Sequence, residues 1–452
     1  MVLVKHLISP ATLPKAPLAS LPIMEEQLSV LSYNILLPNS SDGWWTFKMY
    51  NPPLASDFQF QSSWDYRKDL LKDRIQLVDA DIICFQEVSP DSFSSDFAFM
   101  SDLGYDGVEL FKKGRFRPAT FWKTSQWELA APAAHKDRSL VTAFRRPNEE
   151  QQNNWIVCNC HLQAGKQAPR RVRQINEAVK GAMTMARKLK EPKPEEDIKL
   201  IVCGDFNGDS ECGAVRFLED GFIDETFVED GAPVSSNLKK LPLSYPMLDV
   251  PSSLDRSSGS SNAPPPTMVV SELMSNLMEE ATYDNPILSK SMLERLERIY
   301  NKLSNSDGVM SKQEVEQWLE ITNLKLNRGD EFRSAAKHMG WVDPNPEDAY
   351  EVQKRRVQIP DDGVLTLEQF SDVYQQELSR GKFWGIGHDM AVLGDPLPDD
   401  GVFEARYDRM YCSAALEPVA VLDTVSKVSC PNSNEPSDHL PVAATFKIKV
   451  LQ

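Results

Sequence analysis

The sequence predicts an α/β core interrupted by an all-helical insertion, and three observations carry that expectation. Short apolar segments alternate with amphipathic helical patterns through roughly the first 250 residues. A Ser/Pro-rich stretch at 251–267 (PSSLDRSSGSSNAPPPT) then breaks the alternation, and helical periodicity alone follows it. Strand patterns return near residue 400. A chain of 452 residues has room for two or three domains, or for one large domain with an insertion.

Five segments read as buried strands: 28–36 (LSVLSYNIL), 80–88 (ADIICFQEV), 154–162 (NWIVCNCHL), 198–206 (IKLIVCGDF) and 440–448 (LPVAATFKI). Each is rich in β-branched or large apolar residues and bounded by polar, Gly or Pro residues. Between them, 65–80 places Leu70, Leu71, Ile75 and Leu77 near one helix face, and 170–190 is a second helical pattern. Beyond the Ser/Pro stretch, 270–380 reads as helical. Leu293, Leu296, Ile299 and Leu303 share one face there, and Val315, Trp318 and Leu319 share another. The segment 402–413 (VFEARYDRMYCS) then restores the strand pattern. The expected organisation is therefore a leader or tail over 1–24, a first catalytic part over 25–245, a linker over 246–285, a helical insert over 286–380, and final catalytic strands over 381–452.

The net charge is -17, from 49 Lys and Arg against 66 Asp and Glu. This argues against nucleic-acid binding by bulk positive charge. The charge is uneven, however. Residues 111–190 hold 17 basic against 5 acidic residues, whereas 271–395 hold 14 against 23. The basic stretch includes Lys112, Lys113, Arg115, Arg117, Arg170, Arg171 and Arg173, which read either as solvated faces or as a phosphate-attracting surface. No run of about twenty apolar residues predicts a membrane-spanning helix. The seven cysteines read as buried, reduced thiols, with no second pair at zinc-ligand spacing beside Cys158 and Cys160. That usage suits a cytoplasmic or nuclear protein. The mildly basic first two dozen residues leave an organelle address open.

The chemistry lies at the strand ends. Ser32-Tyr33-Asn34, Gln86-Glu87-Val88, Asn159-Cys160-His161-Leu162, Gly204-Asp205-Phe206-Asn207, Arg406-Tyr407-Asp408-Arg409 and Ser437-Asp438-His439 each place costly polar groups at or beside an apolar strand. Singly each is weak. Together they supply oxygen donors suited to Mg²⁺ or Mn²⁺ rather than zinc, with two of the chain's six histidines.

In order and wording these motifs resemble the endonuclease/exonuclease/phosphatase superfamily over about 25–245 and 395–452. The most specific parts are Asp205-Phe206-Asn207 and Ser437-Asp438-His439. The resemblance implies a four-layer α/β/β/α sandwich of two mixed sheets and metal-assisted phosphoester hydrolysis. It implies Glu87, helped by Asn34, as the main Mg²⁺ ligand, with Asp438 joining that site or a second ion. Asp205 would orient or deprotonate water, Asn207 and His161 would hold phosphoryl oxygens, and His439 would face the phosphate, oriented by Asp408. Trp64-Asp65-Tyr66-Arg67, Asp79 to Ile83 and Gln86-Glu87 are similar to the nocturnin and Angel branch. Arg171 and Gln174 fit that branch's Arg-x-x-Gln pattern, with Arg171 toward substrate phosphate. The Tyr407-Asp408-Arg409 wording is also similar to tyrosyl-DNA phosphodiesterases and neutral sphingomyelinases.

Two places in the insert look like calcium-binding EF-hand loops. The first places Asn305, Asp307, Ser311 and Glu314 at ligand positions around Gly308, but Leu303 stands where an acid is expected. The second, around Gly363, ends in Gln369 and lacks its early ligands. A helix–loop–helix pair is expected, with weak calcium binding at the first loop only. His388-Asp389 reads as a loop histidine satisfied by its neighbours, or as a border of the active site. The functional expectation is a divalent-metal-dependent, exonuclease-like phosphodiesterase on RNA or nucleotides, open to modulation by calcium. The alternatives are a phosphatase of a small phosphorylated metabolite or inositol lipid, and a silent calcium-responsive scaffold.

Overall fold

A computed structural model describes residues 3–8, 26–40, 45–50, 58–111, 116–147, 153–251, 264–279, 285–327 and 329–449. Most of the expected leader, residues 252–263 and 280–284 of the expected linker, and Lys112, Lys113 and Arg115 lie outside the described residues; the rest of the linker is ordered differently from expectation, with a strand at Met268–Ser271 and a helix at Met274–Leu277. The chain divides into two compact units.

The first unit comprises 1–42, 63–270 and 403–452, and holds two mixed sheets. The seven-stranded sheet runs, edge to edge, Leu3–Ile8, Leu416–Val425, Val442–Ile448, Gln27–Asn34, Ile82–Val88, Arg117–Trp122 and Gly107–Leu110. The six-stranded sheet runs Leu248–Asp249, Asp408–Cys412, Lys199–Asp205, Trp155–His161, Ser139–Arg145 and Glu128–His135. Alternation along each strand sorts the side chains into layers. Leu28, Val30, Ile82 and Cys84 meet Phe144, Trp155, Val157, Ile201 and Met410 between the sheets. Ile156, Cys158 and Cys160 face outward against the helices Ala168–Lys188 and Gly213–Glu219. On the other outer face, Leu31, Ile83 and Phe85 meet Leu71, Ile75 and Val78 of the helix Trp64–Val78. The result is the expected α/β/β/α sandwich. All seven cysteines are buried and unpaired.

Some elements differ from expectation. Leu3–Ile8, read as part of a leader, forms an edge strand parallel to Leu416–Val425, itself a strand the pattern did not reveal. The first long helix buries Trp64, Arg67 and Arg74 beside Leu71, Ile75 and Val78, while Leu70 and Leu77 are only partly covered. Two arginines on a core-facing stripe hide the helical period from a purely apolar count.

The second unit comprises 43–62 and 271–402. Its helices Lys290–Leu303, Lys312–Asn323, Gly329–His338, Leu367–Ser379 and Phe383–Val392 enclose a core of their own around Leu296, Ile299, Trp318, Phe370 and Tyr374. The segment expected to return to the catalytic part at 381 does so only from Phe403, because Ile386 and Met390 belong to the helical core. Met310 and Leu365, the eighth positions of the two loops, form an antiparallel bridge. Each following helix starts with a reciprocal capping box, Ser311 with Glu314 and Thr366 with Gln369. His388 is helical rather than in a loop, and its ring lies edge-on to Phe47.

Candidate active site

The ends of three neighbouring strands set the site's geometry. In the six-stranded sheet Asp205 pairs with His161 on one side and Asp408 on the other, so these three stand in one row. Gly204 makes the tight approach possible, because its φ is +131° and a Cβ there would meet the Cys160 carbonyl oxygen at 1.9 Å. In the seven-stranded sheet Asn34 pairs with Gln86, and Glu87 follows at a register shift with φ 66°. That left-handed turn is costly for a non-glycine residue and occurs here at a site-forming position.

The side chains converge. Asn34 Nδ2 donates to Asp205 Oδ2 at 3.0 Å and to Glu87 Oε1 at 3.4 Å. Glu87 Oε2 accepts from the Leu37 amide at 3.0 Å. Asp205 is held further by the Asn207 amide at 2.8 Å and by Asn207 Nδ2 at 3.0 Å. His161 Nε2 lies 3.7 Å from Asp205 Oδ2 and 3.9 Å from Glu87 Oε1. Its Nδ1 donates to the Phe116 carbonyl at 2.8 Å, which fixes the ring and leaves Nε2 facing the carboxylates. His439 Nδ1 bonds Asp408 Oδ2 at 2.7 Å, and its Nε2 stands 4.0 Å from Asp205 Oδ2. Ser437 Oγ, which donates to the Asn34 carbonyl at 2.7 Å, ties the last motif to the first.

Burial sets the electrostatics. It pushes Asp438 up to about 6 and raises Asp205 above the usual carboxylate range, although His439 pulls both back. His439 stays well above an ordinary histidine; burial works against its charge, but Asp408, Asp438 and Asp205 outweigh it. A centre of buried carboxylates, with Asp438 crowded by Glu87, calls for a cation. Glu87, Asn34 and Asp438 offer the oxygen donors that Mg²⁺ takes. Among the described residues, no three His, Cys, Asp or Glu side chains are gathered tightly enough to hold a metal themselves, and the Asn34 Oδ1 accepts from the Leu36 amide at 3.1 Å while its Nδ2 faces Glu87 and Asp205.

Arg171 is placed differently from the substrate-facing expectation. Its guanidinium donates to the Gln163 carbonyl at 3.1 Å and pairs with Glu229, so it braces the loop after His161. Gln174 likewise accepts from the Gln163 amide and donates to Asp137. Asn305, Asp307 and Glu314 lie in the helical unit. Asn305 Oδ1 accepts from the Asp307 and Val309 amides, and Glu314 accepts from Ser311.

Arg67, Gln86 and Asn159 stand in motifs the sequence reading quotes, but it gives them no role. Arg67 is fully buried and donates to the carbonyls of Ile35, Leu36, Leu37 and Pro436. It therefore fixes the loop after Asn34 and the turn before Asp438 together. Beneath the site, Gln86 Nε2 donates to Asn159 Oδ1 at 2.9 Å, and Asn159 Nδ2 reaches the Phe85 and Ala119 carbonyls, which joins the two sheets. Their motifs were the signal; what each side chain holds is set by segments far away in the chain.

Carboxylates, amides and histidines thus meet at the strand ends of a two-sheet sandwich. Residues 31–439 match the Endonuclease/Exonuclease/phosphatase family, and the chain belongs to it. Among curated relatives, the "CCR4-Not complex 3'-5'-exoribonuclease subunit Ccr4" of Schizosaccharomyces pombe is 27% identical over 253 residues, covering 44% of this chain and 35% of that protein. The "Carbon catabolite repressor protein 4 homolog 6" of Arabidopsis thaliana is 24% identical over 224 residues, covering 44% and 28%. The matches thus span about a third of those relatives. Similar solved structures include the human nocturnin catalytic domain with bound sulfate (14% identity, TM-score 0.44, 94% of each chain). They also include ANGEL2, a 2',3'-cyclic phosphatase, with adenosine-2',3'-vanadate (16%, 0.48, 95% of this chain and 97% of that one).

Proposed function

We propose that this protein is a divalent-metal-dependent phosphodiesterase acting on RNA or nucleotides, of the nocturnin and Angel type. The observation that carries the reading is the convergence of Asn34, Glu87, His161, Asp205 and the Asp408–His439 pair within hydrogen-bonding or ion-pair reach of one another. The exoribonuclease name of the curated relatives supports the choice of RNA.

In this reading Glu87, Asn34 and Asp438 would hold a divalent cation, which would supply charge neutralisation at the phosphoryl group. Asp205 aligns the attacking water and takes its proton. Asn207 and His161 hold the non-bridging oxygens, and His439 faces the phosphate from the opposite side. Asp408 fixes the His439 tautomer through the 2.7 Å bond. These donors are set before substrate arrives, so little reorganisation accompanies the reaction.

The test is release of nucleotides from single-stranded RNA, and of phosphorylated products from a nucleotide panel, with and without Mg²⁺. Glu87→Ala and Asp205→Ala are each expected to lower turnover by about 10²-fold or more. Unaltered turnover in either variant overturns the mechanism. Turnover confined to phosphomonoesters replaces the diesterase assignment by a phosphatase.

A further inference from the structure

Asp408 orients His439 through one carboxylate oxygen, Oδ2, which bonds the His439 Nδ1 at 2.7 Å. The other oxygen, Oδ1, is buried and makes no hydrogen bond. Among the described residues His439 is thus the one hydrogen-bond partner of this carboxylate. Its direction therefore depends on the backbone that carries it, and not on a second side-chain contact.

That backbone lies at an exposed register of its sheet. The strand Asp408–Cys412 pairs along its whole length with Lys199–Asp205 on one side. On the other side Leu248–Asp249 pairs only with Cys412 and Tyr411, and the Val250 amide reaches the Met410 carbonyl at 2.9 Å. The sheet offers the Asp408 amide no partner strand there. It donates instead to Thr267 Oγ1, at 2.9 Å. Thr267 closes the Ser/Pro-rich stretch, is buried, and precedes the strand Met268–Ser271. Its own backbone is fixed twice. The Thr267 amide donates to the Ala405 carbonyl at 2.9 Å, and its carbonyl accepts from the Leu440 amide at 2.6 Å. Met268 then forms an antiparallel bridge with His439, and the Val269 amide donates to the Asp438 carbonyl at 3.4 Å. One short segment thus holds the main chain around His439 through its own main chain, and the main chain of Asp408 through a single hydroxyl.

We infer that Thr267 is a positioning residue for the Asp408–His439 pair, setting the two side chains against each other without touching substrate. The kinetic consequence rests on the phosphodiesterase reading; the structural one does not. A hydroxyl suits the task because it accepts from an amide while carrying no charge of its own into a buried, acid-rich site. Serine keeps that acceptor. Valine keeps the shape and loses it, which leaves the Asp408 amide buried and unpaired. A backbone that gains freedom there turns the carboxylate away from Nδ1, and the imidazole loses the partner that fixes its tautomer and ring orientation.

The experiment compares full-length wild type, Thr267→Val, Thr267→Ala and Thr267→Ser on single-stranded RNA and a nucleotide panel with Mg²⁺ present. Thr267→Val is expected to lower kcat about tenfold with little change in KM. Thr267→Ser is expected to recover most of that loss. Thermal melting establishes that each variant is folded at the assay temperature, and Thr267→Ala takes the place of valine if the valine variant is not. A second readout needs no turnover. With histidines labelled by ¹⁵N, the His439 Nδ1 proton, held in a short bond to a carboxylate, is expected far downfield and slow to exchange. It should vanish in Asp408→Ala, shift or broaden in Thr267→Val, and return in Thr267→Ser. An unchanged kcat in the folded valine or alanine variant overturns the assignment. So does a loss carried by KM, or one that serine does not recover. If no substrate is cleaved, the phosphodiesterase reading falls, and the Nδ1 signal alone then decides the positioning role: a signal that is the same in wild type and Thr267→Val rejects it.

Discussion

Arg67 shows how a single residue can organise a site it does not enter. Its planar guanidinium collects four carbonyls from two chain segments that flank Asn34 and Asp438. A lysine ammonium has neither the fork nor the number of fixed donors. Arg67→Lys is therefore expected to cost about 2–3 kcal/mol of stability, read as a lower Tm. It is also expected to lower kcat more than it raises KM, because ligand placement rather than substrate contact is lost. An unchanged kcat at full folding would remove the positioning role. At this scale the sequence was only partly legible. Glu87, Asp205 and His439 stood out as costly polar residues ending apolar strands. Arg67 did not, because a helical arginine reads as solvated until its burial is known. Arg171 was legible as important but not in its role, since the spacing does not show that Glu229 lies against it.

At the scale of elements, the helical unit holds a buried ionic group that joins a segment from early in the chain to late helices. Lys48 Nζ lies 3.0 Å from Glu331 and 2.9 Å from Asp389, all buried. Burial opposes the Lys48 charge, but Asp389 and Glu331 outweigh it and raise its pKa. His388, next in sequence to Asp389, has its pKa lowered to about 3 by burial and by Lys48. An unfolded histidine titrates near 6.5. Between those values the unfolded state binds the additional proton, so the His388 contribution is present above about pH 6.5 and is lost as pH falls. Asp389, pushed up to about 7 by burial, acts in the opposite sense, losing stability as pH rises toward 7. The histidine component is therefore read as a difference. Relative to wild type, His388→Phe is expected to gain about 1–2 kcal/mol between pH 6.5 and about pH 5 in denaturant melts. A constant difference across that range would contradict this assignment. The sequence indicated the helices but not this network, because Lys48 and Asp389 are 341 positions apart.

For the whole molecule, the contrast in charge acquires a spatial meaning. The acidic excess of 271–395 falls in the helical unit, and the basic excess of 111–190 falls in the sandwich. The bridge between Met310 and Leu365 supports a paired-hand reading of the helical unit. Calcium at its first loop must compete with the bonds Asn305 and Glu314 already make. Calorimetry on the full chain is expected to show weak binding at millimolar Ca²⁺ that Glu314→Ala abolishes. Absence of heat would reduce the pair to a packing unit. By itself the sequence determined the alternation of strands and helices, the interruption, and the acids, amides and histidines at the strand ends. Those follow from period, composition and the cost of burying polar groups, all local properties. Tertiary structure alone decided which of those groups meet, that Arg67 and Gln86 hold them, that Arg171 braces a loop, and that the chain near Lys48 belongs to the helical unit. These depend on contacts between residues far apart in the chain, where no local pattern records the partner.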